Sequence, residues 1–70
     1  MDLDVFKNNV LYLMKKYNLS TTQFAKRINM SQPCVAKWSN GLIYPSVFAI
    51  CVICREFNVS ADWLLFGEEK

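Results

Sequence analysis

The sequence predicts an all-α fold, a compact five-helix bundle occupying residues 1–70 as one domain. Three observations predict it. Apolar residues recur at three- and four-residue spacing, beginning with Phe6, Val10, Leu13, Met14 and Tyr17. Serines at positions 20, 31, 46 and 60 each head such a run, where a hydroxyl can cap free backbone N–H groups. Asparagine or glycine closes the runs, at Asn18, Asn29, Asn40-Gly41, Asn58 and Gly67; these residue types tolerate the left-handed conformation that stops a helix.

Helix 1 is expected from Asp2 or Asp4 to Tyr17, with the five apolar residues above as its core-facing stripe. The early acids suit the positive end of the helix dipole, and Lys15-Lys16 suit the negative end. Its role reads as scaffold, with Lys15 and Lys16 as possible phosphate contacts.

Helix 2 opens at Ser20, and Gln23 three residues on can reach back to the Ser20 amide, completing a capping box. Leu19 and Phe24 are placed as a hydrophobic staple. Phe24, Ala25 and Ile28 then form a narrow apolar stripe, leaving Thr21, Thr22, Lys26 and Arg27 for solvent or a partner. The helix should end at Ile28, because Asn29 suits a sharp left-handed turn.

Behind that turn Met30 is expected to fold inward, and Ser31 to cap helix 3. Pro33 is tolerated in the first turn, whose amides have no helical partner. Val35 and Trp38, three apart, should face the core, while Gln32, Pro33, Ala36 and Lys37 share the opposite side. Such a face suits the reading of base edges: Gln bonds adenine bidentately, Lys approaches guanine acceptors, and Ala or Pro contacts a thymine methyl. The competing reading is an ordinary solvated helix face.

The stretch Leu42-Ile43-Tyr44-Pro45 is a loop whose apolar residues either pack on the core or stay exposed as a contact patch. Helix 4, Val47 to about Phe57, is apolar almost all round and is expected to be the central buried helix. Ser60 caps helix 5, with Val59 and Leu64 as a second staple, and Gly67 and the charged tail Glu68-Glu69-Lys70 end it. Trp63 to Phe66 are four large apolar residues in succession, so they cannot all point inward from one short helix. Trp63 and Phe66 are therefore candidates for a homodimer seam, against the alternative of ordinary surface exposure.

Composition narrows the function classes. Seventy residues make one small domain near the size where a single core barely suffices, and the 53% apolar content is needed for it. No run approaches the roughly 18 apolar residues of a membrane span, and acids stand at the start where a secretory signal carries basic residues, so a cytoplasmic location is expected. Three cysteines without a signal peptide imply reduced thiols. Cys51 and Cys54 form a CxxC pair, but they lie inside an apolar run, and with no histidine in the chain they read as buried small hydrophobes rather than metal or redox ligands. No cofactor or metal is expected, and an enzyme is disfavoured by the lack of a glycine-rich phosphate loop and of chain to enclose a substrate. Between Val5 and Arg55 there are seven basic residues and no acid, an asymmetry that favours a polyanionic partner.

With these residues laid out, the chain resembles the lambda-repressor-like helix-turn-helix family, which includes phage Cro and repressor domains and bacterial XRE-type regulators. The resemblance runs from about Val10 to Gly67 and rests on LSTTQFAKRINMS, Val35, Asn40-Gly41, Pro45-Ser46 and FNVSADWLLFG. It implies a dimer on a near-palindromic operator in double-stranded DNA, with two copies of helix 3 in successive major grooves. By position it implies base contacts from Gln32, Pro33, Ala36 and Lys37, and phosphate contacts from Thr21, Gln23, Ser31 and Asn40. The chain departs from the family pattern at Asn29 (usually glycine), at Ser39 (commonly glutamate), at Pro33, which removes an amide and a flexible side chain from the reading face, and at Leu42 and Ile43, where relatives often carry basic residues.

Two functions follow as expectations. The first is a Cro-like repressor controlled by concentration and dimerisation, with no small-molecule effector and no membrane partner. The second is a protein-binding module, such as a subunit of an antitoxin or regulatory complex, docking through Leu42 to Pro45 and Trp63 to Phe66.

Overall fold

Each helix is bounded by the residue chemistry that predicts it. The structure, a computed structural model, describes residues 2–67, so Met1 and the tail Glu68-Glu69-Lys70 lie outside the described residues. Five helices follow in order: α1 (Leu3–Lys16), α2 (Thr21–Arg27), α3 (Gln32–Ser39), α4 (Val47–Phe57) and α5 (Ala61–Phe66). Among the described residues there is no strand.

Asp2 caps α1, its carboxylate accepting the Asp4 N–H at 2.9 Å. The capping box of α2 is complete: the Gln23 N–H donates to Ser20 Oγ at 3.1 Å, and Gln23 Oε1 accepts the Ser20 N–H at 2.8 Å. Ser46 and Ser60 accept the Ala49 and Trp63 amides in the same way. Ser31 stands at the head of α3 but its hydroxyl makes no capping bond, contrary to expectation. Pro33, lacking an N–H, removes one of the donors such a cap satisfies.

The exits repeat one device. Asn18, Asn29 and Asn58 adopt φ of 55°, 58° and 54°. The next amide then reaches back: Leu19 to the Met14 carbonyl, Met30 to Ala25 and Val59 to Cys54, at 2.8, 2.9 and 3.1 Å. Gly41 serves α3 similarly, with Leu42 N–H bonded to the Lys37 carbonyl at 2.9 Å. Asparagine costs less than other side chains in this conformation, which is why it substitutes for glycine at these stops.

The core forms where α1 packs on α3 and α5, α2 on α3, and α4 on α5. Phe6, Val10, Leu13, Phe24, Val35, Ile53 and Leu64 are wholly buried. Phe6 meets Trp38 edge to face at 5.7 Å, and Phe24 stacks on Phe57 at 4.9 Å. Leu19 and Val59, the predicted staple residues, are half-buried against this core.

Two packing expectations are corrected. Tyr17 does not complete the buried stripe of α1; it is 40% exposed and leans its ring on Phe57 at 5.4 Å. Nor is α4 the central helix. It buries only Ala49, Ile53 and Phe57, spaced by four, while Val47, Phe48 and Cys51 face solvent. That stripe meets α5 and, through Phe57, the Phe24 ring of α2, whereas α1 packs along both α3 and α5 and is the axis of the bundle.

Candidate nucleic-acid interface

The pair α2–α3 presents one helix on the back of another. Val35 and Trp38 are 0% and 1% exposed, so α3 is anchored by two side chains one turn apart. That anchoring fixes the opposite face, where Gln32, Pro33 and Lys37 are exposed and Ala36 is half-buried between them. Gln32 and Pro33 occupy the first turn and Lys37 the last, so the polar face spans the whole helix.

The predicted phosphate contacts flank this face in sequence and differ in freedom. Ser31 is exposed with its hydroxyl uncommitted to the backbone. Gln23 is exposed, but its carbonyl oxygen is held by the Ser20 amide, which leaves only the NH2 group to bond a partner. Thr21, the first residue of α2, is half-buried, and Asn40, which caps the end of α3, is exposed. Ser39 Oγ donates to the Ala36 carbonyl at 3.1 Å, turning that hydroxyl back onto its own helix.

The positive charge is distributed unevenly. Arg27 Nε donates to Glu56 Oε2 at 2.7 Å, the sole ion pair among the described residues. Lys16 lies 6.0 Å from the Tyr12 ring centroid and 5.5 Å from that of Tyr17. Lys37 has neither an ion pair nor an aromatic ring against it among the described residues.

Of the seam candidates, Phe66 is 54% exposed, while Trp63 is half-buried with its ring edge to face with Tyr12 at 5.7 Å. The loop alternatives resolve toward exposure: Leu42, Ile43 and Tyr44 are all exposed, and Val47 and Phe48 continue the apolar surface into α4. Cys51 is exposed rather than buried, because it lies on the outward side of α4; Cys54 is half-buried. Burial pushes the Cys54 thiol pKa up, and the neighbouring Cys51 adds to the effect. Among the described residues no group of three or more His, Cys, Asp and Glu side chains could hold a metal ion. No helix among them is long and apolar enough to cross a membrane.

Sequence reasoning missed the long-range partners. Arg27 and Glu56 are 29 residues apart, and Asn9 donates its side-chain amide to the Trp63 carbonyl 54 residues away. Neither pairing has a periodic signal. Asn9 could have been suspected as a polar residue in the half-buried middle of a helix, where an unpaired amide is costly.

Two short helices joined by the four residues Ile28 to Ser31, the second displaying an exposed polar face, define a helix-turn-helix. The comparison with known families agrees: the family described as helix-turn-helix matches residues 10–64, and the chain belongs to it, in its XRE-type form. The chain is 33% identical over 64 residues to the HTH-type transcriptional activator BcrR of Enterococcus faecalis, covering 91% of this chain and 31% of that protein. It is 32% identical over 62 residues to the antitoxin PezA of Streptococcus pneumoniae, covering 89% of this chain and 39% of that protein. The chain thus spans about a third of the length of these curated relatives. No solved structure matches it.

Proposed function

We propose that this chain is a sequence-specific transcriptional regulator, a Cro-like repressor that inserts α3 into the major groove and binds a near-palindromic operator as a homodimer. The observation that carries the reading is the exposure of Gln32, Pro33 and Lys37 on a helix whose other side is locked by fully buried Val35 and Trp38. A rigid helix with a free amide and a free ammonium at opposite ends can hold both against base edges with little further ordering. Thr21, Gln23, Ser31 and Asn40 bind backbone phosphates around it and set its depth. Phe66, with the edge of Trp63, supplies the seam between copies. The protein works in the cytoplasm, where its DNA lies, and its occupancy is governed by its own concentration.

Selection of bound duplexes from a random double-stranded pool tests this. A palindromic consensus with half-sites about one helical turn apart is the expected result. Recovery of no consensus, with binding indifferent to sequence, overturns it.

A second reading, a protein-binding module, is favoured by one observation: Leu42, Tyr44, Val47 and Phe48 are 67%, 59%, 77% and 67% exposed in one short stretch. Salt separates the two. DNA binding through several phosphates weakens steeply as salt rises, and an apolar protein interface does not.

A further inference from the structure

The loop after α3 poses an electrostatic problem. It runs beside the residues proposed to meet DNA, yet Leu42, Ile43 and Tyr44 give it no cation. The fold places one there from elsewhere. Lys7, on the first half of α1, is half-buried, and its Cδ lies 3.2 Å from the position a Cβ on Gly41 would take. The lysine stem therefore lies across the turn that leaves α3, directly after Asn40. Gly41 allows that close approach, and its φ of +71° turns the chain beneath it.

Two of the other cations are held by partners within the bundle. Arg27 is paired with Glu56 and lies 4.9 Å from the Phe57 ring centroid, and Lys16 lies near the rings of Tyr12 and Tyr17. Lys7 has no ion pair among the described residues. Asp4, one turn earlier on α1, is exposed at the helix start and does not reach it. A lysine whose methylenes are packed and whose ammonium is free has less freedom to lose on binding than a wholly exposed one.

We infer that Lys7 is a DNA-contacting residue: its ammonium binds a backbone phosphate beside the end of α3, supplying from α1 the charge that Leu42 and Ile43 leave out of the loop. The contact rests on the proposed DNA reading and adds to it. It is a positioning contact, which strengthens binding to every duplex by the same factor and carries no base preference.

The test uses the full chain, a duplex recovered from the random pool and an unrelated duplex of equal length, with binding measured from 50 to 200 mM KCl. Lys7→Gln, which keeps most of the stem, should lower the slope of log affinity against log salt by about 0.9 per bound protomer. The loss of affinity should be equal on the two duplexes, and Lys7→Arg should restore the slope. An unchanged slope in Lys7→Gln, or a loss confined to the selected duplex, overturns the assignment while leaving the DNA reading in place. Wild-type protein that binds neither duplex overturns the DNA reading and this contact with it. Helical circular dichroism and a melting curve for each variant separate these outcomes from misfolding.

Discussion

Asn9 Nδ2 donates to the Trp63 carbonyl at 2.7 Å and reaches the Leu64 carbonyl at 3.3 Å, so one side chain of α1 closes the end of α5. The last carbonyls of a helix have no partner of their own. In α5 the Gly67 N–H meets the Trp63 carbonyl at 2.9 Å, and Asn9 adds a second donor there and reaches on to Leu64.

Asn9→Ala is expected to cost about 1 kcal/mol, since it removes a part-buried side-chain hydrogen bond while the Trp63 carbonyl keeps the Gly67 N–H. For a domain of this size that is a fall of roughly 4–8 °C in Tm per kcal/mol. Asn9→Asp should be worse at neutral pH, where its carboxylate faces two carbonyl oxygens, and should recover relative to wild type at acid pH, where it is protonated and can donate. Thermal melts of the three proteins at two pH values check both statements.

The clamp between α2 and α4 divides its energy between two kinds of contact. Arg27 and Glu56 side chains are 39% and 37% exposed, and an ion pair that open contributes about 0–1 kcal/mol. The guanidinium also lies 4.9 Å from the Phe57 ring centroid and 5.8 Å from that of Tyr17. Arg27→Ala should therefore destabilise more than Glu56→Ala, by about 0.5–1 kcal/mol, and the excess should survive in high salt. Urea unfolding at low and high salt measures it.

Gln23 has a structural bond and a proposed functional one on the same amide. Gln23→Glu keeps an oxygen for the Ser20 amide and adds favourable charge at a helix start, so stability should be equal to or above wild type. The same carboxylate replaces the NH2 donor offered to phosphate, so DNA affinity should fall about tenfold. Gln23→Ala should instead lose about 0.5–1 kcal/mol of stability. If Gln23→Glu binds DNA like wild type, Gln23 is a cap and nothing more.

What the sequence made legible was local. The helix starts at Ser20, Ser46 and Ser60 and the left-handed stops at Asn18, Asn29 and Asn58 depend on residues within six positions, and each stands where the spacing puts it. The face of α3 was legible too, because Val35 and Trp38 leave only one side for Gln32 and Lys37. The burial of α4 was not. Its composition is apolar all round, and composition counts how much surface could be buried, not how many neighbours exist to bury it. In a chain of seventy residues α4 lies at the periphery, and Phe48 and Cys51 stay outside. Lys7 over Gly41 and Asn9 under α5 were hidden for a second reason: each joins positions more than thirty residues apart with no periodic pattern between them.

The exposure of Cys51 sets an order of thiol reactivity. Cys51 should react first with a disulfide reagent, and Cys54, with its pKa raised by burial and by Cys51, should need more alkaline solution. Because the Cys54 thiol is harder to ionise folded than unfolded, its contribution to stability is complete below the unfolded thiol pKa of about 8.5 and is lost as pH rises through the folded value. Wild-type protein should therefore lose more stability than Cys54→Ser between pH 8 and 10 (approximate bounds on either side of that pKa). Denaturant midpoints across that range decide it.

The proposed base contacts make the sharpest demand. Gln32 and Lys37 stand at opposite ends of α3, so they reach different base pairs, and each substitution should relax the consensus at its own position in each half-site. A good bidentate contact is worth about 1–3 kcal/mol of discrimination, so Gln32→Ala should cut preference at one adenine-bearing position by roughly fivefold or more. Lys37→Ala should do the same at a guanine-bearing position, and it should also lower the salt slope slightly because a charge is removed. Both residues are exposed, so neither change should alter the melting temperature appreciably. Competition binding against a panel of single-position operator variants reads both effects. A Lys37→Ala protein that weakens on every duplex alike, with its sequence preference intact, would move Lys37 from the base-reading set to the phosphate set, and the same result for Gln32 would leave α3 without a residue that reads sequence by hydrogen bonds.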